Sequence, residues 1–350
     1  MLSRRRLLTS VAAGAIAAPA VFGASRARAA VSLRLHHFLP PVSNPHVRFL
    51  VPWAKKVETE SGGEIKIDIF PSMQLGGAPP QLYDQARDGV VDIAWTLPGN
   101  TPGRFPRIET LELPFVPDRL AVPNSLALQE FSGKYLKDEF KEVHPICFWA
   151  HDRGLVHSTR QVKTIEDMKG LKLRFPTRLA GEALKALGAN AIGMPIPQVP
   201  ESLANKVIEG CVIPWEVVPA VKVHELTRFH LEIPGSPTLY TTTFILAMNK
   251  AKYAGLPAAA KKALDANSGM VAAKMAGTVW DAAAIDVKAM VEKRSGNTIS
   301  TLTADEAKRW RAATKPVVDG WIAQSKDKGF NGGSLLEDMQ ALLRKHAKAT

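Results

Sequence analysis

The stretch "NKVIEGCVIPWEVVP", residues 205–219, closes a helix-like segment at Glu209-Gly210. It then runs through Cys211, Val212 and Ile213 and stops at Pro214-Trp215-Glu216. An earlier stretch, "QARDGVVDIAWTLPG", residues 85–99, has the same grammar: polar helix, acidic-Gly turn, apolar strand, Trp. A short apolar run between turn signals reads as a strand buried on both faces, as in parallel sheets. Its repetition predicts two similar halves.

Outward from these two stretches the chain alternates strands and helices. "VSLRLHHF" and "EIKIDIF" read as strands flanking the helical "HVRFLVPWAKKVETES", and "PQLYDQARDG" reads as a helix before the strand "VVDIAW". A Pro-rich connection over 98–123 precedes a helix around 125–143. "PICFWAHDRGLVHS" is a strand pair or one long strand. "LKLRF" and "NAIGMPI" are strands around the helix "RLAGEALKALG", and "VPESLANKVIEG" and "VKVHELT" are helices around the strand "CVI". "YTTTFILAMN" is a long β-branched strand. From Pro257 onward the pattern is helical, over 257–295, 303–328 and 334–349. This alternation predicts an α/β fold with mainly parallel strands and helices on both faces.

The ends and composition narrow the class. "SRRRLL", a weakly apolar run over 11–24 and "ARA" at 27–29 form an export signal, residues 1–29, of twin-arginine type by its consecutive arginines. It leaves about 320 residues, enough for two domains. No later run is apolar for the roughly 18 residues a membrane span needs. The formal charge of +12 falls to about +7 without the five arginines of the signal, and it is spread over helix faces. That spread, with export, argues against nucleic acid as a partner. Cys147 and Cys211 lie in apolar runs, either paired or as two buried thiols.

Motifs for catalysis, metals and cofactors are absent: there is no G-x-S-x-G, P-loop, H-E-x-x-H or G-x-G-x-x-G. His36 and His37 are adjacent on a strand and point to opposite faces. His151 and His157 lie on a later strand region with Asp152 and Arg153 between them, but no base–nucleophile pair is legible. Anion recognition has better support. Arg174 ends the strand "LKLRF" beside Phe175 and before a helix N-terminus, where a guanidinium can hold a carboxylate in a two-pronged bond. Arg178 is a second candidate. In open α/β sheets ligands bind beyond the carboxyl ends of strands. Trp95 and Trp215 each stand at such an end, Trp215 with Glu216 beside it.

The run "TIEDMKGLKLRFP…ALKALGANAIGMPIPQVPESLANKVIEGCVIPWE", with "ETESGGEIKIDIFPSMQLGG…ARDGVVDIAW" and "LELPFV", resembles the dicarboxylate-binding-protein type of solute-binding protein of TRAP (tripartite ATP-independent periplasmic) transporters. The resemblance spans roughly residues 31–330. It implies a two-domain periplasmic binding protein with crossing hinge strands and a long spanning helix. It further implies an interdomain cleft that closes on a small organic acid, delivery to integral membrane permease subunits, no enzymatic turnover and no cofactor. On this pattern domain I takes 30–153 and about 240–275, domain II takes 154–239 and about 276–330, and 331–350 form a C-terminal helix. The protein is expected to be a monomer or weak homodimer.

The family's carboxylate-clamping arginine falls on Arg174. Two positions depart from the family pattern. Ile213 stands where many members carry an amide, and the second arginine's nearest counterpart is Arg153. An apolar residue there, beside Trp215, favours an aromatic or bulky monocarboxylate. Phe38, Trp95, Tyr240 and Thr241 complete the expected cleft. Two alternatives stay open: an exported enzyme acting on an organic acid with His151 as base, and a 2-oxo acid binder using a bridging metal through Glu216.

Overall fold

The computed structural model describes residues 30–348; the export signal lies outside the described residues. Two mixed sheets form the frame. The first contains β1 (Val31–His36), β2 (Ile65–Phe70), β3 (Ile93–Thr96), β4 (Val143–Ala150) and β10 (Thr243–Asn249), in the order β2-β1-β3-β10-β4. The second contains β5 (Leu155–Ser158), β6 (Lys172–Phe175), β7 (Asn190–Gly193), β8 (Gly210–Ile213), β9 (Phe229–Glu232) and β11 (Thr298–Thr301), in the order β11-β9-β5-β8-β6-β7.

Each sheet is parallel except for one inserted strand. β10 runs antiparallel between β3 and β4, and β5 runs antiparallel between β8 and β9. The chain reaches these two strands by direct crossings from the other sheet, at 151–154 and at 233–242, and crosses a third time, through the helices after β10, to β11. The crossing segments bind one another: Gly154 N–H donates to the Tyr240 carbonyl at 3.1 Å, and the Thr241 hydroxyl to the His151 carbonyl at 2.7 Å. A Cβ at Gly154 would stand 1.9 Å from the Tyr240 ring, so only glycine lets the segments approach this closely.

The helices follow the apolar spacing. α1 (Val51–Glu60) buries Trp53, Ala54 and Val57, and α2 (Leu82–Arg87) leads to β3. α3 spans Ala121–Tyr135, starting four residues before the expected helix, because its first turn is held from outside. Asp281 accepts hydrogen bonds from Ala121 N–H at 2.7 Å and Val122 N–H at 3.0 Å, which places an anion at a helix N-terminus. α4 (Arg178–Ala186) buries Leu179, Ala180, Ala183 and Leu184, and Gly188 at φ +90° follows its end. α5 (Val199–Ala204), α6 (Val223–Leu226), α7 (Lys250–Ala254) and α8 (Ala258–Ala266) are short.

α9 (Gly269–Glu292) is the long element, and the helical pattern from 257 breaks just before it at Asn267-Ser268. It buries Ala272, Ala273, Ala276, Gly277 and Trp280 against α3 and β4, and also packs on residues 215–217 beyond the second sheet. A Cβ at Gly277 would lie 2.8 Å from the Val122 Cα, which shows how closely the two helices meet. α10 (Ala304–Asp327) packs on α4, and α11 (Gly332–Ala347) on α3. Cys147 and Cys211 are buried free thiols in different sheets. No helix among the described residues is long and apolar enough to cross a membrane.

Candidate ligand-binding site

Between the two sheets, beyond the ends of β1, β3, β6 and β8, lies a narrow cavity of about 40 Å³. Phe38, Leu39, Trp95 and Leu97 line it from the first sheet's side. Arg174, Pro176, Ile196, Val212, Ile213, Glu216 and Val217 line it from the second's, and His151, Tyr240, Thr242 and Phe244 from the crossing segments and β10.

Arg174 is 2 % exposed. Its Nε donates to the Met194 carbonyl at 2.9 Å and its Nη1 reaches the Val212 carbonyl at 3.4 Å. No carboxylate among the described residues pairs with it. Burial lowers its pKa to about 10, with partial relief from Cys211 and Tyr240, so it stays cationic at neutral pH. A buried guanidinium held only by carbonyls carries an uncompensated charge, the condition an anionic ligand relieves. Four more polar atoms on these walls are buried without a partner: Trp95 Nε1, Tyr240 Oη, Thr242 Oγ1 and Glu216 Oε2.

Glu216 is 3 % exposed. Burial first and the nearby Asp152 second push its carboxyl well above the ordinary range. Trp280 Nε1 lies beside it without completing a hydrogen bond. His151 is neutral, since burial lowers its pKa to about 3, and its Nδ1 faces the Asp152 carbonyl at 2.5 Å.

Of the residues expected from sequence, the structure brings Phe38, Trp95, His151, Arg174, Ile213, Glu216 and Tyr240 onto one cavity. Five stand elsewhere. Trp215 turns its ring away from the cavity, onto His157 and His230, and its Nε1 donates to Glu232 at 3.0 Å. Arg153 also serves Glu232, at 3.1 Å, with Lys288 on the other oxygen at 2.8 Å. Burial alone would raise the Glu232 carboxyl; the Lys288 and Trp215 bonds and the Arg153 charge hold it below its ordinary range. Phe175 packs against Gly181 and Gly193, where added Cβ atoms would lie 2.8 Å from its ring. Thr241 faces the other crossing segment; its neighbour Thr242 lines the cavity. Arg178 is already paired with Glu109, at 2.5 and 3.2 Å.

Sequence reasoning missed Thr242 and Phe244, although extended chain puts Tyr240, Thr242 and Phe244 on one side by alternation. Among the described residues no group of three or more His, Cys, Asp or Glu side chains is placed to hold a metal ion.

Two lobes joined by crossing strands, with an unpaired guanidinium inside the closed seam, define a ligand receptor of the two-domain binding-protein class. Residues 35–325 match the family described as bacterial extracellular solute-binding protein, family 7, and the chain belongs to that family. A periplasmic 2,3-diketo-L-gulonate-binding protein of Escherichia coli is 30% identical over 71% of this chain and 75% of its own. A solved TRAP solute-binding protein from Rhodoferax ferrireducens, in complex with copurified benzoate, is 44% identical, with a TM-score of 0.88 over 91% of this chain and 99% of that one. Another, from a marine metagenome and specific for aromatic acid ligands, holds 3-hydroxybenzoate; it is 42% identical, with a TM-score of 0.89 over the same shares. The protein is thus a periplasmic solute-binding component of a TRAP transporter, a carrier of small carboxylates to a membrane permease and not an enzyme.

Proposed function

We propose that the protein captures an aromatic monocarboxylate, with Arg174 as the carboxylate clamp and Phe38, Trp95, Leu97, Ile213 and Phe244 as the walls around the ring. The observation that carries this reading is a single unpaired cation inside an otherwise aromatic and aliphatic cavity. A dicarboxylate would bring a second charge that no second free cation on these walls meets. The benzoate and hydroxybenzoate bound to relatives above 40% identity support the same class. We further propose that the chain acts as a monomer or weak homodimer, with lobes corresponding to the two sheets.

The test is calorimetric titration of the mature protein with benzoate, 3-hydroxybenzoate, succinate and pyruvate. Tight binding of an aromatic acid is expected, with weak or absent binding of succinate. Arg174→Ala should weaken aromatic acid binding by about a hundredfold or more, the usual effect of removing one member of a buried charge pair. Unchanged affinity in that variant, or a preference for succinate, would overturn the assignment.

A further inference from the structure

Resting on that reading, we infer that Glu216 determines specificity by binding a ring hydroxyl at the end of the ligand away from its carboxylate. The site would then select hydroxylated aromatic acids over their methylated counterparts. Glu216 and Arg174 line the same cavity, and Glu216 Oε2 is buried there without a partner. Arg174 is held by the Met194 and Val212 carbonyls, whereas the carbonyl of Glu216 is held by Asn44 from the first sheet's side, and Tyr240 stands within electrostatic reach of both charged groups. A ligand in this cavity therefore meets both a cation and a carboxyl.

The remaining unpartnered atoms do not compete for this role. Trp95 Nε1, Tyr240 Oη and Thr242 Oγ1 are all donors and can serve the ligand's carboxylate together with the guanidinium. Glu216 cannot face a carboxylate in its ionised form. A hydroxyl satisfies it in either state, donating to the carboxylate or accepting from the acid. Backbone contacts hold the residue in place without using the free oxygen: the Glu216 carbonyl accepts a bond from Asn44 Nδ2 at 2.7 Å, and Oε2 remains unpartnered. A site with a buried, unmatched polar group rejects ligands that leave it unmatched.

The experiment measures dissociation constants of the mature protein for benzoate, the three hydroxybenzoates and the three toluates. It uses wild type, Glu216→Leu, Glu216→Gln and Arg174→Ala. At least one hydroxybenzoate should bind wild type about tenfold or more tighter than the matching toluate. Glu216→Leu should abolish or invert that ratio while still binding benzoate, and Glu216→Gln should keep part of it. Arg174→Ala should weaken every ligand alike. Equal affinity for hydroxybenzoates and toluates, or a ratio that survives in Glu216→Leu, overturns the role of Glu216 and leaves the aromatic reading standing. Failure of all seven acids to bind wild type defeats the aromatic reading, and this inference with it. If Glu216→Leu does not fold, the wild-type comparison of hydroxybenzoates with toluates decides.

Discussion

Thr241 and Thr242 are adjacent, both buried and chemically identical, yet they do opposite work. Thr241 spends its hydroxyl on the His151 carbonyl and fastens one crossing segment to the other. Thr242 presents an unpartnered hydroxyl to the cavity. Thr241→Val should therefore lower stability by about 1 kcal/mol with little change in affinity. Thr242→Val should leave the melting temperature of the unliganded protein nearly unchanged and weaken ligand binding. Parallel melting and titration of the two variants checks the pair, and a swapped result would contradict the placement. Glu112 gives a pH prediction. It is buried and accepts bonds from Thr243 N–H at 2.9 Å and its hydroxyl at 2.6 Å, and burial raises its pKa to about 7. The native state thus holds this proton more tightly than the unfolded chain does, so the stability it contributes is full below about pH 4.5 and is lost as pH rises through about 7. Glu112→Gln keeps an accepting oxygen and removes the charge. It should be more stable than wild type at pH 8, by about 2 kcal/mol, with the advantage fading as pH falls to about 4.5. Melting curves across that window would show no such convergence if the carboxyl were ordinary.

At the scale of elements, what was legible in the sequence follows the strength of local signals. The alternating "EIKIDIF" and the run "CVI" sit in their sheets as read, with Ile65 and Ile67 buried and all of β8 inside. β9 and β11 were missed because each is four residues long; β9 alternates only over Phe-His-Leu-Glu, too short a run to stand out, and β11 is a half-exposed edge of Thr and Ser around one Ile. Mainly parallel pairing was expected and is found; which strands run antiparallel, β5 and β10, depends on which sheet the chain crosses into, and no local pattern encodes that. Arg174 was legible from its place at a strand end before a helix. Trp215 was not, because a residue at a strand end can turn to either side. Its direction is set by Glu232, 17 positions later, which gathers Trp215, Arg153 and Lys288.

The whole molecule closes along a seam that other contacts also hold. Asn44 reaches the Glu216 carbonyl, Arg178 grips Glu109, and Gly99 meets Thr177 so closely that an added Cβ would lie 2.4 Å from the threonine methyl. Gly99 comes from the connection after β3 and Thr177 stands at the start of α4, so this contact joins the two lobes. Gly99 has no positive φ, so alanine there strains the seam and not its own backbone. Gly99→Ala should fold normally, bind ligand at least about tenfold more weakly, and contract less on binding, since closure is the step that its methyl group obstructs. Unaltered affinity, with the usual ligand-induced drop in radius of gyration by solution scattering, would show that the seam tolerates the methyl.

The unpaired guanidinium of Arg174 has a consequence for traffic at the membrane. Shutting the lobes with nothing between them would strand that cation in a dry interior, so an empty receptor is discouraged from imitating a loaded one. A permease that recognises only the shut shape would thereby receive a trustworthy report of cargo without ever touching it. The arginine that holds the passenger also guards against idle docking, and a neutral residue in its place would forfeit honesty along with grip.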